Sequence, residues 1–379
     1  MKLFDDIVRS YQLPAGYGEF DFEYLNRSAT EPIRKIRDVL EDWFSRYPQS
    51  DASELRERFR SRDSYNHSSA FFELWLHELL LCLGCSVKVH PTLPTTSKRV
   101  DFRVESPQGN DFYLEAIQVT GESGEHSKAE ARLNTLYDSL NYLDSPHFFI
   151  HLEISGTPKS PIPGSKIRNR LERELSNLNP ALLDHFISVG RLDLLPRWQF
   201  EHDGVNITCY PMPKPEELVG VPGIRTLGSR SFGGIIDSES PIRDAVIAKA
   251  KRYGVLDLPL VVAINATDLF ISKRDVLSAL YGSVSGLAEP EILNDSRGVW
   301  GSNARPTWTR LSAVLVTIKL RTDRMAGVPV CLYHNPQPKR PYVGELTRLT
   351  QCIPLNNRLI EQSGESAESI LNLPPNFPE

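Results

Sequence analysis

Two acidic side chains lie inside apolar segments that are typical of β-strands. Asp101 lies in the segment VDFRV and Glu115 in the segment FYLEAIQV, and a short stretch of turn composition joins the two. A carboxylate surrounded by apolar residues is costly to bury unless it is ion-paired or binds a metal. If the two segments pair as adjacent antiparallel strands, acids on one face of the sheet can meet over a single ion. Because Mg²⁺ prefers oxygen ligands and is typically held by one or two carboxylates, Asp101 and Glu115 are candidate ligands of Mg²⁺ or Mn²⁺.

The periodicity of the sequence predicts the elements that must position these acids. The segment AFFELWLHELLLCLG is predicted to form an apolar helix that ends at Gly84, where a left-handed cap is expected. Strands are predicted at 86–90, 100–104 and 112–119, followed by a helix over about 128–143 and a strand in PHFFIHLEI. The predicted order is therefore helix, three strands, helix, strand, written αβββαβ.

The remainder of the chain continues the same alternation of helices and strands. Apolar residues at helical spacing run from residue 31 to about residue 60, ahead of the αβββαβ segment. We predict an α/β fold with a mixed sheet and three segments: an N-terminal helical lead-in (1–66), the αβββαβ core (67–156) and a C-terminal α/β extension (157–379) packed on the same sheet. A division into two separate domains is the alternative.

The composition argues against several classes of protein. The 379 residues include 43 Lys and Arg against 48 Asp and Glu, for a net charge of -5, so a surface for nucleic acid would have to be a local patch. Five cysteines argue against a secreted disulfide framework. The N-terminal segment MKLFDDIVRSYQLP lacks the apolar stretch of a signal peptide, and no apolar run approaches the roughly twenty residues of a membrane span. We therefore expect a cytoplasmic protein with no membrane partner.

The residues FEL on the apolar helix, VDF in the second strand and LEAI in the third resemble the motif of the PD-(D/E)XK nucleases, which have a restriction-endonuclease-like αβββαβ core. The resemblance implies that Glu73, Asp101 and Glu115 hold a catalytic Mg²⁺ (or Mn²⁺). It also implies that the chain hydrolyses DNA phosphodiester bonds in restriction or anti-phage defence, as a homodimer and with partner proteins of a defence system. Val100 stands where the motif has proline. The same metal chemistry would serve an RNA substrate, so the choice between DNA and RNA stays open.

The resemblance extends beyond the motif. The whole chain is similar to an uncharacterised group of bacterial proteins of similar length, which share phrases such as WFSRYP, AFFELWLHELL, PLVVAIN and YHNP. This wider similarity indicates that the chain is one functional unit, without indicating a substrate.

The motif lysine is missing, because Ile117 stands two positions after Glu115. In the family this lysine helps to activate water, and some members have glutamine in its place or take a lysine from another element. The resemblance therefore makes Gln118 a candidate catalytic residue and Lys98 and Lys128 candidate accessory residues. From the residues alone, Gln118 can also be an ordinary polar side chain, and a solvated surface charge is the favoured interpretation of Lys98 and of Lys128 taken singly.

Two further alternatives stay open. His77 lies one helical turn after Glu73 and either orients that carboxylate, touches a phosphate or is an ordinary helix histidine. The missing lysine also favours a second function, a catalytically impaired nuclease fold that acts as a nucleic-acid-binding or partner-binding module. Convergence of Glu73, Asp101 and Glu115 on one ion would favour catalysis, whereas an ion pair between Glu115 and a core arginine would disfavour it.

Two clusters of basic residues stand out in the C-terminal half. The cluster between residues 166 and 173 interleaves with glutamates, so ion pairs within one helix explain it. The second cluster consists of Lys249, Lys251 and Arg252. Either cluster could contact the backbone of a nucleic acid.

Overall fold

The computed structural model describes residues 1–93, 98–120, 124–221, 224–233, 238–267, 271–286, 290–293 and 295–379. The chain divides into two compact units. The first unit comprises Met1–Gln12, Phe20–Gly121 and Asp237–Glu379, and the second comprises Leu13–Glu19 and Glu122–Ile236. Most of the second unit is therefore an insertion between two parts of the first unit. This division differs from the three consecutive segments that the sequence predicts.

The described residues include ten α-helices and sixteen β-strands. The helices are α1 (Asp21–Arg27), α2 (Glu31–Arg46), α3 (Ala52–Phe59), α4 (Ser64–Cys82), α5 (Gly124–Asn141), α6 (Gly164–Leu175), α7 (Pro180–Ser188), α8 (Glu239–Lys251), α9 (Lys273–Tyr281) and α10 (Ala367–Ile370). The strands are β1 (Ser86–Val89), β2 (Phe102–Glu105), β3 (Phe112–Val119), β4 (Phe148–Ser155), β5 (Trp198–His202), β6 (Val205–Pro213), β7 (Leu227–Gly233), β8 (Leu260–Ala266), β9 (Val284–Ser285), β10 (Glu291–Ile292), β11 (Gly301–Ser302), β12 (Arg305–Pro306), β13 (Leu311–Ile318), β14 (Val330–His334), β15 (Gln351–Leu355) and β16 (Arg358–Gln362).

A mixed ten-stranded sheet is the centre of the first unit. Its strand order is β1-β2-β3-β8-β13-β14-β15-β16-β10-β9. Strand β2 runs antiparallel to both β1 and β3, whereas β3, β8 and β13 run parallel to one another. The second unit contains a four-stranded sheet with the order β5-β6-β4-β7. The chain is therefore an α/β protein with mixed sheets, which confirms the predicted class, and its C-terminal strands extend the sheet that begins with β1.

Helix α4 is the apolar helix that the sequence predicts. It begins at Ser64, where the Asp63 carboxylate accepts hydrogen bonds from the backbone amides of Tyr65 and Asn66. It ends before Gly84, whose φ of 87° is the left-handed conformation expected of a helix cap. Its side chains are buried almost all round, because helices pack on one flank and the sheet on the other.

The prediction that PHFFIHLEI forms the fourth strand of the first sheet is wrong. That strand, β4, pairs with β6 and β7 in the sheet of the second unit. The strand that follows β3 in the first sheet is β8, which pairs with β3 in parallel and is preceded by helix α8. A parallel pair requires a crossover connection, and here α8 supplies the helix of that connection while the second unit occupies the chain between β3 and α8.

The two faces of the first sheet carry different layers. Leu114 of β3 and Val261 of β8 belong to the apolar cluster that contains α4. Tyr113 and Val262, their neighbours along the same strands, belong to the cluster that contains α8 and α9. Since side chains alternate along a strand, α4 and α8 cover opposite faces, and Glu115 shares the α8 face with Tyr113.

Candidate functional site

Asp101 and Glu115 lie side by side in the first unit. Asp101 directly precedes β2, and β2 pairs with β3 so that Phe102 lies opposite Leu114. The Asp101 backbone amide donates to Glu115 Oε1 at 3.2 Å, and Asp101 Oδ2 accepts from the Ala116 amide at 2.8 Å. The hairpin therefore brings together the two acids that the sequence places in adjacent strands.

Lys249 lies between the two carboxylates. Its Nζ is 2.6 Å from Glu115 Oε2 and 3.2 Å from Asp101 Oδ2. Helix α8 places it there because Ile242, Val246 and Ala250 form the buried stripe of the helix, and Lys249 borders that stripe. In the sequence, Lys249 stands out only as part of a basic cluster. Its position one residue before the buried Ala250, on the helix that crosses from β3 to β8, is the signal that could have identified it.

Tyr253 and Arg252 complete the surroundings of Glu115. The Tyr253 hydroxyl lies within hydrogen-bond distance of Glu115 Oε1 and, at 2.8 Å, of the Arg99 carbonyl oxygen. Arg252 Nη1 is 3.5 Å from Glu115 Oε2. Glu115 is fully buried, whereas the Asp101 and Lys249 side chains are 20% and 16% exposed. Solvent therefore reaches the cluster from the side of Asp101 and Lys249.

The burial and charge of this cluster shift its pKa values. Burial first, and then the negative charge of Asp101, raise the pKa of Glu115, although Lys249 and Tyr253 partly oppose that rise. Burial by itself would lower the pKa of Lys249, but the two carboxylates outweigh it and raise that pKa above its ordinary value. Lys249 is therefore a charged hydrogen-bond donor at neutral pH and not a base.

The structure does not bring Glu73 to the other two acids. Glu73 accepts from Arg58 Nη2 at 2.6 Å and from the Tyr47 hydroxyl, and His90 Nε2 is 3.8 Å away. Tyr47 at the end of α2 and Arg58 in α3 belong to the helical layer around α4, and His90 follows β1, whereas Glu115 faces α8 on the opposite side of the sheet. Among the residues with described positions, no three His, Cys, Asp or Glu side chains gather as a potential metal site, so the expected three-carboxylate group is not formed.

Gln118 is also separate from the acids, which corrects its expected catalytic role. Its Oε1 accepts from Asn265 at 3.0 Å and its Nε2 donates to Thr267 at 2.8 Å. Strand β3 pairs with β8 in unbroken register from Tyr113 to Val119, so no bulge turns Gln118 towards the face of Glu115. Ile117 does share that face and packs against the apolar cluster there.

The three accessory candidates lie in different surroundings. His77 is buried against the rings of Tyr47 and Phe102, and its Nδ1 has no hydrogen-bond partner in the described structure, so it is not placed to touch a phosphate. Lys98 is exposed and donates to the Arg252 carbonyl oxygen, at the edge of the site. Lys128 is exposed on α5 in the second unit.

The donor set fits one kind of metal. Two neighbouring carboxylates, without histidine or cysteine, match the preference of Mg²⁺ for oxygen ligands and for retaining several waters. Asp101 Oδ2 is taken by Lys249 and the Ala116 amide, but Oδ1 accepts no hydrogen bond from any residue that the structure describes. The exposed edge of Asp101 therefore offers an open oxygen beside Glu115.

Comparison of the chain with protein-family models, curated proteins and solved structures finds no significant match. Within the described ranges, no helix has both the length and the apolar character needed to cross a membrane.

Proposed function

We propose that this chain is a metal-dependent nuclease of the PD-(D/E)XK type that hydrolyses DNA, with a catalytic lysine supplied by helix α8. The observation that carries the proposal is the position of Lys249, whose Nζ lies 2.6 Å from Glu115 and 3.2 Å from Asp101. In the family, a lysine two positions after the second acid helps to activate water. Here Ile117 occupies that position, and Lys249 presents the same functional group to the same pair of carboxylates from a different element.

The order of elements around the site supports the proposal. Leaving out the inserted second unit, the first unit runs α4, β1, β2, β3, α8, β8, with both acids at β2 and β3. This is the αβββαβ order of the family core, with α4 and α8 on opposite faces of a mixed sheet. The restriction-endonuclease-like core is thus proposed for these six elements in place of the segment 67–156 predicted from the sequence.

Asp101 and Glu115 are the residues that would hold the metal. A bound Mg²⁺ or Mn²⁺ would bind the phosphate, lower the pKa of the attacking water and neutralise the departing oxygen. Lys249 remains charged at neutral pH and would donate hydrogen bonds to the water or to a phosphate oxygen. Tyr253 holds the Glu115 carboxylate in place by its hydroxyl. Glu73 and Gln118 have no part in this proposed site.

A plasmid-nicking assay tests the proposal. Wild-type protein is expected to nick plasmid DNA in the presence of Mg²⁺, and EDTA is expected to abolish nicking. The variants Asp101→Asn, Glu115→Gln and Lys249→Met are expected to lose most of the nicking rate. Glu105→Gln is the matched control, because Glu105 is an acid of the same strand β2 that pairs with the exposed Lys88 and lies outside the site. Equal rates in the wild type and the three site variants would remove the proposal.

A second function is favoured by the enclosure of Glu115 and by the separation of Glu73 from the other two acids, whereas the arginine paired with Glu115, Arg252, is 46% exposed and is not a core residue. Both of its oxygens are already hydrogen-bonded or ion-paired, and its side chain is fully buried. A nuclease fold that binds nucleic acid without turnover would keep Glu115 in this state permanently. Metal-independent DNA binding that Glu115→Gln leaves unchanged, together with no cleavage under any metal, would select this second function.

A further inference from the structure

Trp308 lies between two cations on the α8 side of the first sheet. Lys251 Nζ is 5.7 Å and Arg310 Cζ is 5.4 Å from the centroid of its indole ring. The backbone of Trp308 has a φ of 50°, a left-handed conformation that non-glycine residues rarely adopt. The half-buried ring packs against the apolar cluster that also contains Tyr253. Trp308 is thus fixed in a position that holds two like charges near one another.

Two more cations, Lys339 and Arg340, lie on a segment that contacts the Trp308 loop and the chain just after α8. The Lys339 amide donates to the Thr309 carbonyl oxygen at 2.6 Å, which fixes the segment of Lys339 beside the Trp308 loop. Arg340 Nε donates to the Leu256 carbonyl oxygen at 3.1 Å, just after the end of α8. The group formed in this way is called the Trp308 cluster and consists of Trp308, Lys251, Arg310, Lys339 and Arg340.

The two segments that carry Trp308, Arg310, Lys339 and Arg340 contain no acidic residue. The sequence contains no Asp or Glu between residues 296 and 310 or between residues 335 and 343, although the whole chain has a net charge of -5. The four cations of the Trp308 cluster have no ion-pair partner among the residues that the structure describes. The basic cluster between residues 166 and 173 differs from the Trp308 cluster, because in it Arg168 pairs with Glu172 on the same helix. Unpaired like charges that are held together repel one another, and a bound polyanion would relieve that repulsion.

The cluster also adjoins the carboxylate site. Lys251 follows Lys249 by two residues, and Arg252, the next residue, is ion-paired with Glu115 at 3.5 Å. The last turn of α8 therefore connects the Trp308 cluster with Asp101 and Glu115.

We infer that the Trp308 cluster binds the phosphate backbone of a nucleic acid and guides it towards Asp101 and Glu115. This inference rests on the proposed function for the nature of the polyanion. Since both cations lie over the indole ring, Trp308 organises the cations and does not stack on a base. The contacts go to phosphates, so binding at this surface is independent of base sequence.

Binding is measured in EDTA, so that the result does not depend on cleavage. The probes are a fluorescent DNA duplex and a second duplex of scrambled sequence, each titrated at several salt concentrations. The variant is Lys251→Ala/Arg310→Ala. The matched control is Lys166→Ala/Arg173→Ala, which removes two exposed positive charges from α6 in the second unit. Lys339→Glu, at an exposed position, tests the cluster again without altering a packed side chain.

The double variant is expected to bind both duplexes about tenfold or more weakly, and the slope of log affinity against log salt is expected to fall by about two, roughly one for each lost phosphate contact. Lys339→Glu should weaken binding in the same direction, while the α6 control binds as the wild type does. Affinity that is unchanged in the double variant and in Lys339→Glu, or that falls equally in the control, would overturn the inference. If the wild-type protein shows this pattern of DNA binding but no nicking, the proposed nuclease activity is refuted and the inference about binding is not.

Discussion

Lys249 Nζ lies 2.6 Å from Glu115 Oε2, although the two residues are 134 positions apart in the chain. The larger segment of the second unit, Glu122–Ile236, supplies most of the residues between them. The contact forms because β3 and β8 pair in parallel and α8, which precedes β8, packs on the face that carries Glu115. A lysine and two acids thus form one group that is distant in sequence and close in space.

Loss of Lys249 should destabilise the protein and make its stability depend on metal. Lys249→Met leaves the carboxylates of Asp101 and Glu115 close together with only the more distant Arg252, 3.5 Å from Glu115, as a cation, which is expected to cost about 3 kcal/mol in the free energy of unfolding at pH 7. Added Mg²⁺ should raise the melting temperature of this variant more than that of the wild type, because the ion replaces the lost positive charge. Thermal unfolding with and without Mg²⁺ measures both effects. A variant that is as stable as the wild type and indifferent to Mg²⁺ would contradict the electrostatic role of Lys249.

Removal of the Tyr253 hydroxyl should weaken the site with little change in the fold. Tyr253→Phe deletes the donor to Glu115 and to the Arg99 carbonyl oxygen, at an expected cost of about 1–2 kcal/mol in stability and with a clear loss of nicking rate. Tyr113→Phe is the control, since its hydroxyl donates to Asp257 and not to Asp101 or Glu115. Chemical denaturation and the nicking assay should separate the two variants, and an equal loss of rate in both would argue against a specific role of Tyr253.

Glu73 should be important for stability and unimportant for catalysis. Glu73→Gln removes the charge that faces Arg58, so we expect a loss of about 2 kcal/mol in the free energy of unfolding. The nicking rate per folded molecule and its dependence on Mg²⁺ concentration should stay as in the wild type. A shift in that Mg²⁺ dependence would restore Glu73 to the metal site, as the motif resemblance implied.

His77 should make the protein sensitive to moderate acid. Burial, followed by the positive charge of Arg46, lowers the pKa of His77 from 6.5 to about 4. The unfolded chain takes up this proton near pH 6.5 and the folded chain only near pH 4, so the stabilising contribution of neutral His77 is complete above 6.5. It is lost as the pH falls from 6.5 towards 4, by up to about 3 kcal/mol. Denaturation curves of His77→Leu should show a flatter decline over this range than wild type, whereas His185→Gln, at an exposed helix position, should not.

The sequence predicts local structure well where one element is sufficient to define it. The apolar helix with its glycine cap, the three strands and the pairing of Asp101 with Glu115 across a hairpin all follow from periodicity and turn composition. Alternation along β3 also indicates that Gln118 points away from Glu115, and the regular register agrees.

Long-range pairing is what the sequence does not specify. Strand β4 has the alternation of any half-buried strand, and nothing in its residues indicates that it joins β6 and β7 instead of β3. The same insertion separates Lys249 from Glu115 in the chain by most of the second unit. The residues near Glu115 in the sequence therefore give no indication of Lys249. The position of Glu73 apart from Asp101 and Glu115 has another cause, because the side of the sheet on which α4 packs decides the partners of Glu73.

The most direct test of the account is the position of Mn²⁺ in crystals soaked with this ion, located by anomalous scattering. If Asp101 and Glu115 hold the metal, we expect one strong peak in contact with their carboxylates, and the loss of that peak in Asp101→Asn. A peak beside Glu73 instead, or no peak at Asp101 and Glu115 at saturating Mn²⁺, would contradict this assignment of the metal ligands.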